Sequence, residues 1–303
     1  MYYFEGISQL EISRQLGISH PTVCRLIKQA REKGIVRVQI VSPLEEEDNT
    51  ALERELEKRF ALQEAVVVPD SIDGPEAQKA EVGAAAGEYL DRILEKNSVV
   101  GISMGTTLYA MARALPQHTN SRGVFVPLLG GVGQNRPEVQ PNDLAGYLAR
   151  AFGGEVVYIH APAYVGNPSV RQLLMDEPDF QNVTAYYDKL DICLTGIGVP
   201  TPDSAIVSTG YFPPQKLKEL FENGVVGDIC LQFFDIRGNN AYSVNENIVG
   251  IRPDRLKRVK RSIGLATGVS KAEAAIGAMN GGFVNVLITH RAVAESILQH
   301  APV

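Results

Sequence analysis

The chain has 303 residues, of which 45% are hydrophobic and 21% charged, and its formal net charge is −6. This size predicts one large domain with a small appendage, or two domains, and no apolar run approaches the roughly 18 residues of a membrane helix. Cys24, Cys193 and Cys230 are odd in number and far apart, which argues against a disulfide framework or a zinc site. Because the N-terminus does not resemble a signal peptide either, we expect a cytoplasmic protein with no membrane contact, metal or cofactor.

The N-terminal segment differs from the rest in charge. Residues 1–41 carry six basic and three acidic side chains, whereas the remainder carries 23 basic and 32 acidic ones. A basic appendage on an acidic body predicts a segment that binds a polyanion. Pro43 and the acidic run 45–48 that follows mark the boundary, so we assign residues 1–43 to a DNA-binding domain and 44–303 to a second domain.

The basic segment carries the start and stop signals of two short helices. Ser8 and Glu11 have the S-x-x-E spacing of a capping box, and Gly17 is suited to end the helix that starts there. Ser19 offers a second N-cap with Pro21 in the first turn. Apolar residues then recur at helical spacing, at Val23, Leu26, Ile27 and Ala30. This pattern predicts a helix-turn-helix, whose second helix enters the major groove.

The second helix supplies the candidate DNA contacts. We expect His20, Thr22 and Arg25 to meet base edges, with Arg25 able to bind a guanine through two hydrogen bonds. Lys28, Arg31 and Lys33 are placed to neutralise phosphates. The alternating run 35–41 predicts a strand or wing, and a helical hairpin for protein contacts is the alternative. Only seven residues precede Ser8, so we expect a truncated first helix and weakened DNA binding.

After the acidic run, a helix with Leu52, Leu56 and Phe60 is expected, and then strands and helices alternate. The predicted strands are 65–68, 98–102, 124–129, 156–159, 191–195, 228–234, 262–266 and 284–289. The predicted helices are 78–96, 106–115, 143–152, 214–222 and 271–279. Such alternation predicts a Rossmann-like, mostly parallel α/β sheet covered by helices. Ligands of such sheets bind beyond the carboxyl ends of the strands.

The loops at those ends are rich in glycine and small hydroxyls. The stretch 101–105 has the spacing G-x-S-x-G, in which Ser103 is either a nucleophile or a phosphate ligand. Similar loops follow other strands, and the residues singled out in them are Ser103, Gly105, Thr106, Thr107, Gly130, Gly131, Gln134, Gly196, Gly198, Asp228, Thr267, Gly268 and Lys271. We take Asp228 to lie at the start of its strand. Several such loops at successive strand ends favour a binding site over a set of tight turns.

Taken in order, these motifs resemble the SorC family of bacterial sugar-responsive transcription regulators. The matching segments are 8–12, 16–19, 21–23, 25–26, 101–107, Pro127 with 130–131, 196–198, 226–230, 233–235, Lys271 with 275–276, and 284–289. The resemblance covers nearly the whole chain. It implies a tetrameric DNA-binding regulator, or a homodimer, whose effector domain is similar to the sugar-phosphate isomerase and deaminase superfamily and whose effector is a phosphorylated sugar.

By that resemblance, specific residues receive roles. Ser103, Gly105, Thr106 and Thr107 hold the phosphate, Gly130, Gly131 and Gln134 line the cavity, Asp228 accepts from sugar hydroxyls and Lys271 supplies positive charge. The chain departs from the family at His290, where the family usually has Asp. His290 therefore either responds to pH or caps the last helix.

Two enzyme classes are alternatives. A serine hydrolase would use Ser103, an acid such as Asp203 or Asp228, and His290, which follow the chain order of α/β-hydrolases. That fold requires several strands before the nucleophile and an oxyanion loop, neither of which the sequence offers. A sugar-phosphate isomerase or deaminase would use the same phosphate cradle with Asp228 as general base. We expect no enzyme activity, because a ligand-binding role explains Asp228 equally well.

Overall fold

A computed structural model describes residues 2, 7–32, 49–70, 73–116, 123–133, 139–201, 206 and 210–300, leaving aside the side chains of Arg31 and Glu32. The chain divides into two compact units, Met1–Glu47 and Asp48–Val303. Lys33 and the strand or wing expected at 35–41 lie outside the described residues. Within the described ranges, no helix combines the length and apolar character that a bilayer span requires.

The first unit contains the predicted pair of helices, α1 (Gln9–Leu16) and α2 (His20–Glu32). The Ser8 side chain caps α1 by accepting from the Glu11 N–H, while Gly17 ends it with φ 64°. The Glu11 carboxylate lies 3.4 Å from Arg14. Val23 of α2 is buried, but Leu26 is 49% exposed. The apolar stripe predicted along α2 is therefore narrower than expected, because a pair of helices covers only one face of each.

The second unit alternates helices and strands as predicted. The α-helices among its described residues are α3 (Asn49–Phe60), α4 (Pro75–Ile93), α5 (Thr106–Ala114), α6 (Pro141–Phe152), α7 (Pro168–Asp176), α8 (Pro178–Tyr187), α9 (Pro214–Glu222), α10 (Pro253–Leu256), α11 (Ala272–Asn280) and α12 (Arg291–His300). Its strands are β1 (Glu64–Val68), β2 (Val99–Ile102), β3 (Val124–Pro127), β4 (Glu155–Val156), β5 (Ile192–Gly196), β6 (Val225–Ile229), β7 (Gln232–Asp235), β8 (Arg261–Ala266) and β9 (Val286–His290).

Seven strands form one sheet in the order β1-β9-β8-β5-β2-β3-β4. Every pairing in it is parallel, which confirms the predicted sheet. Helices α4, α5 and α6 pack on one face, against side chains such as Ile102 and Phe125. Helices α8, α9, α11 and α12 and the β6–β7 pair contribute to the core on the other face. Burial on both faces explains why the strands read as continuous apolar runs.

The free edge of the sheet, at β1, is closed by a helix. Glu53 and Glu57, one turn apart on α3, accept from the N–H groups of Val67 at 2.8 Å and Ala65 at 3.0 Å. Asn49 of α3 also donates to the Val67 carbonyl at 3.1 Å. These bonds replace a neighbouring strand and protect an otherwise open edge. Helix α3, the first element of the second unit, is thereby fixed to the sheet.

The run 228–234, predicted as one strand, is instead an antiparallel hairpin. Strands β6 and β7 meet at Cys230 and Leu231, whose φ angles are 53° and 61°. Positive φ at both central residues is the geometry of a type I′ turn, which normally uses Asn or Gly. Cys and Leu are not typical turn residues, so the sequence pattern gave no indication of the turn. Asp228 consequently lies near the end of β6, and its predicted place at the start of a strand is wrong.

Candidate functional site

The described residues form a cavity of about 250 Å³ where the strand order changes direction. From β2 the chain continues through β3 to β4 on one side, whereas β5, β8 and β9 follow on the other. Such a switch point is where open parallel sheets bind ligands beyond their carboxyl ends. The predicted effector residues that line the cavity are Ser103, Gly105, Thr106, Thr107, Asp228 and Lys271.

Helix α5 begins at this cavity. Gly105 precedes it with φ 140°, a value that favours glycine, and no side chain from the described residues caps the helix. The first N–H that bonds back to Gly105 O is that of Tyr109. The N–H groups of Thr106, Thr107 and Leu108 therefore have no carbonyl partner within the helix. Together with the positive end of the helix dipole, they form an anion-binding arrangement.

Ser103 occupies the floor of the cavity, 1% exposed. Its N–H donates to Leu194 O at 3.0 Å, which extends the pairing of β2 with β5. Its Oγ accepts from the Cys230 thiol at 3.3 Å. Because the Ser103 oxygen accepts from this buried thiol, the hydroxyl hydrogen points away from the thiol and can donate to a ligand oxygen. Burial raises the pKa of the Cys230 thiol to about 12, although the hydrogen bond with Ser103 acts in the opposite direction and lowers this pKa.

Among the described residues that line the cavity, Asp228 is the one with a carboxylate. Burial raises its pKa to about 6, although the Lys271 charge and the Leu231 N–H both lower it. The backbone of Asp228 pairs with Gly198, with N···O distances of 2.9 and 3.0 Å. A Cβ placed on Gly198 would lie 2.1 Å from the Asp228 Oδ1. The Asp228 carboxylate therefore packs directly over Gly198, and this position is possible only because glycine has no side chain.

Two lysines face the cavity, one of which the sequence interpretation missed. Lys271 donates to Ile197 O at 2.7 Å. Burial lowers its pKa, Asp228 raises it and Lys79 lowers it. Lys79 lies in the first turns of α4 and also lines the cavity. The sequence could have indicated Lys79, because the helix that follows β1 must begin at the same edge of the sheet as the other ligand-binding loops.

Two other predicted residues are not among the described residues that line the cavity. Gly130 and Gly131 are absent from the described lining of the cavity, because their N–H groups donate to Val249 O at 3.0 Å and Ala161 O at 2.8 Å. A Cβ on Gly130 would lie 2.4 Å from Ala161 O. Gly130 thus permits close backbone packing, whereas a Cβ on Gly131 would have its nearest neighbour at 3.7 Å. Gln134 lies outside the described residues.

The geometry contradicts the hydrolase alternative. His290 ends β9, and three strand spacings, about 14 Å, separate that strand from the one before Ser103. The His290 ring nitrogens lie 3.0 Å from Pro69 O and 2.9 Å from Gln78 O. Since both nitrogens face backbone carbonyls, His290 is not a base for Ser103. Asp203 lies outside the described residues.

In the first unit, the predicted DNA contacts lie on α2. His20, Arg25 and Lys28 are exposed, and Thr22 is hydrogen-bonded to Ser19 at 2.8 Å between the two hydroxyls. Arg31 belongs to the same helix, but its side chain is not among those described. The helix therefore presents cations to solvent from its N-terminal half onward, as a recognition helix requires.

The fold and the site together define a protein with a helix-turn-helix unit and an α/β unit that carries an anion-suited cavity. Comparisons with known proteins support this class. A winged helix-turn-helix DNA-binding family model matches residues 5–37. The Sugar-bind family model, which describes a sugar-binding domain, matches residues 45–299.

Relatives agree over the full length. The chain is 34% identical to the sorbitol operon regulator of Klebsiella pneumoniae, over 99% of this chain and 95% of that protein. It is 31% identical to the deoxyribonucleoside regulator of Bacillus subtilis, over 98% and 95% of the two chains. The crystal structure of full-length SorC from Klebsiella pneumoniae superposes with a TM-score of 0.86 at 33% identity, covering 98% of this chain and 95% of that one.

The chain belongs to the SorC family of sugar-binding transcriptional regulators. It combines a DNA-binding helix-turn-helix with a sugar-binding α/β domain. The relatives named above are regulators of transcription, so the isomerase alternative for Asp228 finds no support among them.

Proposed function

We propose that the cavity binds a phosphorylated sugar and that this binding controls transcription of a carbohydrate-utilisation operon. The observation that carries the proposal is the uncapped start of α5, which faces the same cavity as the Lys271 ammonium. Free helix N–H groups, small hydroxyls and a lysine form a phosphate site. In this arrangement Ser103, Gly105, Thr106 and Thr107 surround the phosphate, and Lys271 neutralises part of its charge.

The sugar moiety is assigned to the carboxylate side of the cavity. Asp228 can accept hydrogen bonds from hydroxyl groups, and charge-assisted bonds of this kind are stronger than neutral ones. Burial has raised its pKa to about 6, so a ligand that donates hydrogen bonds compensates for solvent that the carboxylate has lost. A polyol phosphate supplies both the anion and the donors.

The DNA-binding half of the proposal rests on α2. We assign His20, Thr22 and Arg25 to base edges and Lys28 and Arg31 to phosphates of a double-stranded operator. Two relatives are named for a sorbitol operon and for deoxyribonucleosides, which supports a carbohydrate-related operon for this chain. We propose a homotetramer or homodimer, because symmetric oligomers match operators with repeated half-sites.

Control by the ligand requires linkage between the two units. If the sugar phosphate binds one arrangement of the assembly better than another, it changes operator affinity. Coupling free energies of about 1 to 3 kcal/mol change such an affinity roughly 5- to 150-fold. Linkage of this kind acts either by release from the operator or by tighter binding.

The proposal is tested by a thermal-shift screen of the full chain with phosphorylated sugars, each paired with its unphosphorylated form. Phosphorylated members should raise the melting temperature more, because ligands that bind the folded state stabilise it. Lys271→Ala should weaken phosphorylated ligands by roughly 10-fold or more, consistent with loss of a charged hydrogen bond. Lys218→Ala, on the exposed face of α9, serves as the matched control.

A gel shift with the DNA upstream of the gene's own operon completes the test. A sugar phosphate that raises the melting temperature should also change operator affinity at least several-fold. Equal operator affinity with and without every stabilising sugar phosphate would contradict the regulatory proposal. Equal stabilisation by phosphorylated and unphosphorylated sugars would contradict the assignment of the phosphate site.

A further inference from the structure

His290, the last residue of β9, joins two elements through their backbones. The ring is 1% exposed. Its Nδ1 lies 3.0 Å from Pro69 O, just after β1, and its Nε2 lies 2.9 Å from Gln78 O, in the first turn of α4. A neutral imidazole donates through one nitrogen only, whereas the imidazolium donates through both. The ring therefore fixes the start of α4 to the end of β1.

Asp70 strengthens the same junction. Both of its carboxylate oxygens lie 3.1 Å from the N–H of Ala292, in the first turn of α12. Its Oδ1 is also 4.0 Å from His290 Nδ1. A carboxylate at a helix N-terminus is stabilising, because it faces the positive end of the helix dipole. The ends of β1 and β9 and the starts of α4 and α12 thus form one polar junction.

Lys79 directly follows the carbonyl that His290 holds. Its side chain lines the effector cavity and is 26% exposed. Its Nζ lies 2.7 Å from Glu76, a side chain that is 87% exposed. Across the cavity, the Lys79 charge lowers the pKa of Lys271, although burial is the larger cause. Two ammonium groups that repel each other in one cavity favour an anion between them.

We infer that Lys79 is a second anion-binding residue of the cavity and that His290 is a positioning residue that sets Lys79 there. The inference rests on the proposed function, because it takes the phosphate as the ligand group. His290 acts on the backbone of Gln78, one residue before Lys79, so it fixes the turn from which the lysine reaches the cavity. Bound geometry held in advance reduces the cost of ordering a long side chain on binding.

The test is a double-mutant cycle on the full chain with inorganic phosphate as the probe, measured by calorimetry. Lys79→Ala should weaken phosphate binding roughly 10- to 150-fold, the usual range for a charged hydrogen bond. His290→Asn should weaken it roughly 3- to 10-fold in the original background and leave it unchanged in the K79A background, because coupled residues are non-additive. Lys79→Arg should retain most of the affinity.

Two control variants test whether the effect is specific to the cavity, and a second His290 variant guards against misfolding. Lys218→Ala and His160→Asn, on side chains outside the cavity lining, should leave phosphate affinity unchanged. His290→Gln keeps an amide donor for one carbonyl, and it replaces His290→Asn where the latter fails to give a cooperative thermal transition.

Equal weakening by the His290 variant in both backgrounds would show a general structural role and overturn the positioning role. Phosphate binding that Lys79→Ala does not weaken would overturn the inference while leaving the proposed function intact. Absence of phosphate binding by the unsubstituted chain would contradict both the proposed function and the inference.

Discussion

Replacement of Asp228 by Asn should make the ligand-free protein more stable at neutral pH and less able to bind its effector. Burial raises the pKa of Asp228 from 3.8 to about 6 in the folded protein. In the unfolded chain the carboxyl ionises near 3.8, so between these values the folded state binds more protons and stability falls as pH rises. The protonated form stabilises the folded state fully below about pH 3.8, and that contribution is lost as pH rises through about 6.

The pKa difference sets the size of the effect. A change from 3.8 to about 6 corresponds to about 3 kcal/mol at pH 7.5. Urea unfolding of the original chain and Asp228→Asn should therefore diverge by about 2 to 3 kcal/mol between pH 4 and pH 7.5, in favour of the variant. Because Asp228 also raises the pKa of Lys271, the pH-dependent part of the difference reports the coupled pair, with the Asp228 carboxyl as the group removed. A difference that stays constant over this range would refute the assignment of a desolvated carboxylate.

Two further substitutions test the cavity and the DNA-binding helix. Gly198→Ala should displace the Asp228 carboxylate, because the added Cβ would lie 2.1 Å from its Oδ1. At Gly166, which is not among the described residues lining the cavity, an added Cβ would meet no atom within 4 Å. Calorimetry should therefore show loss of sugar-phosphate affinity for Gly198→Ala and near-normal affinity for Gly166→Ala. Arg25→Ala should lower specific operator affinity by about 1 to 3 kcal/mol in gel shifts, while Arg14→Ala, on α1, should change it little, and equal effects of the two would argue against α2 as the recognition helix.

The sheet and the position of the uncapped start of α5 were predictable because both arise from local sequence. Apolar runs at regular intervals predicted the parallel strands, since burial on both faces leaves few polar positions within them. The start of α5 was predictable because glycine and hydroxyl residues stand just before it and in its first turn, at Ser103 to Thr107. Helices α7 and α8 were missed, although Asn167 and Pro168 give α7 a side-chain cap and a proline in its first turn.

The remaining differences depend on tertiary contacts that the sequence does not display. The turn at Cys230 and Leu231 lacks the usual turn residues, and it is held in the folded protein by buried neighbours such as Ser103. Gly130 resembles a ligand-loop glycine but serves close packing against another segment. Lys79 reaches the cavity from a helix whose start was placed three residues late. In each case a residue far away in sequence decides the role.

The cavity brings together groups whose charges are costly before a ligand binds. Asp228 comes from the β6–β7 hairpin, Lys271 from the turn before α11 and Lys79 from α4. A ligand that supplies an anion and hydroxyl donors relieves these costs, and the Asp228 share alone, about 3 kcal/mol, is as large as a typical allosteric coupling free energy. Because a ligand shifts an equilibrium only by its differential affinity, this relief would drive switching only where the three elements hold these groups differently in the two arrangements of the assembly. The gain in the free energy of unfolding on Asp228→Asn would measure the desolvation cost that the natural carboxylate carries before its effector binds.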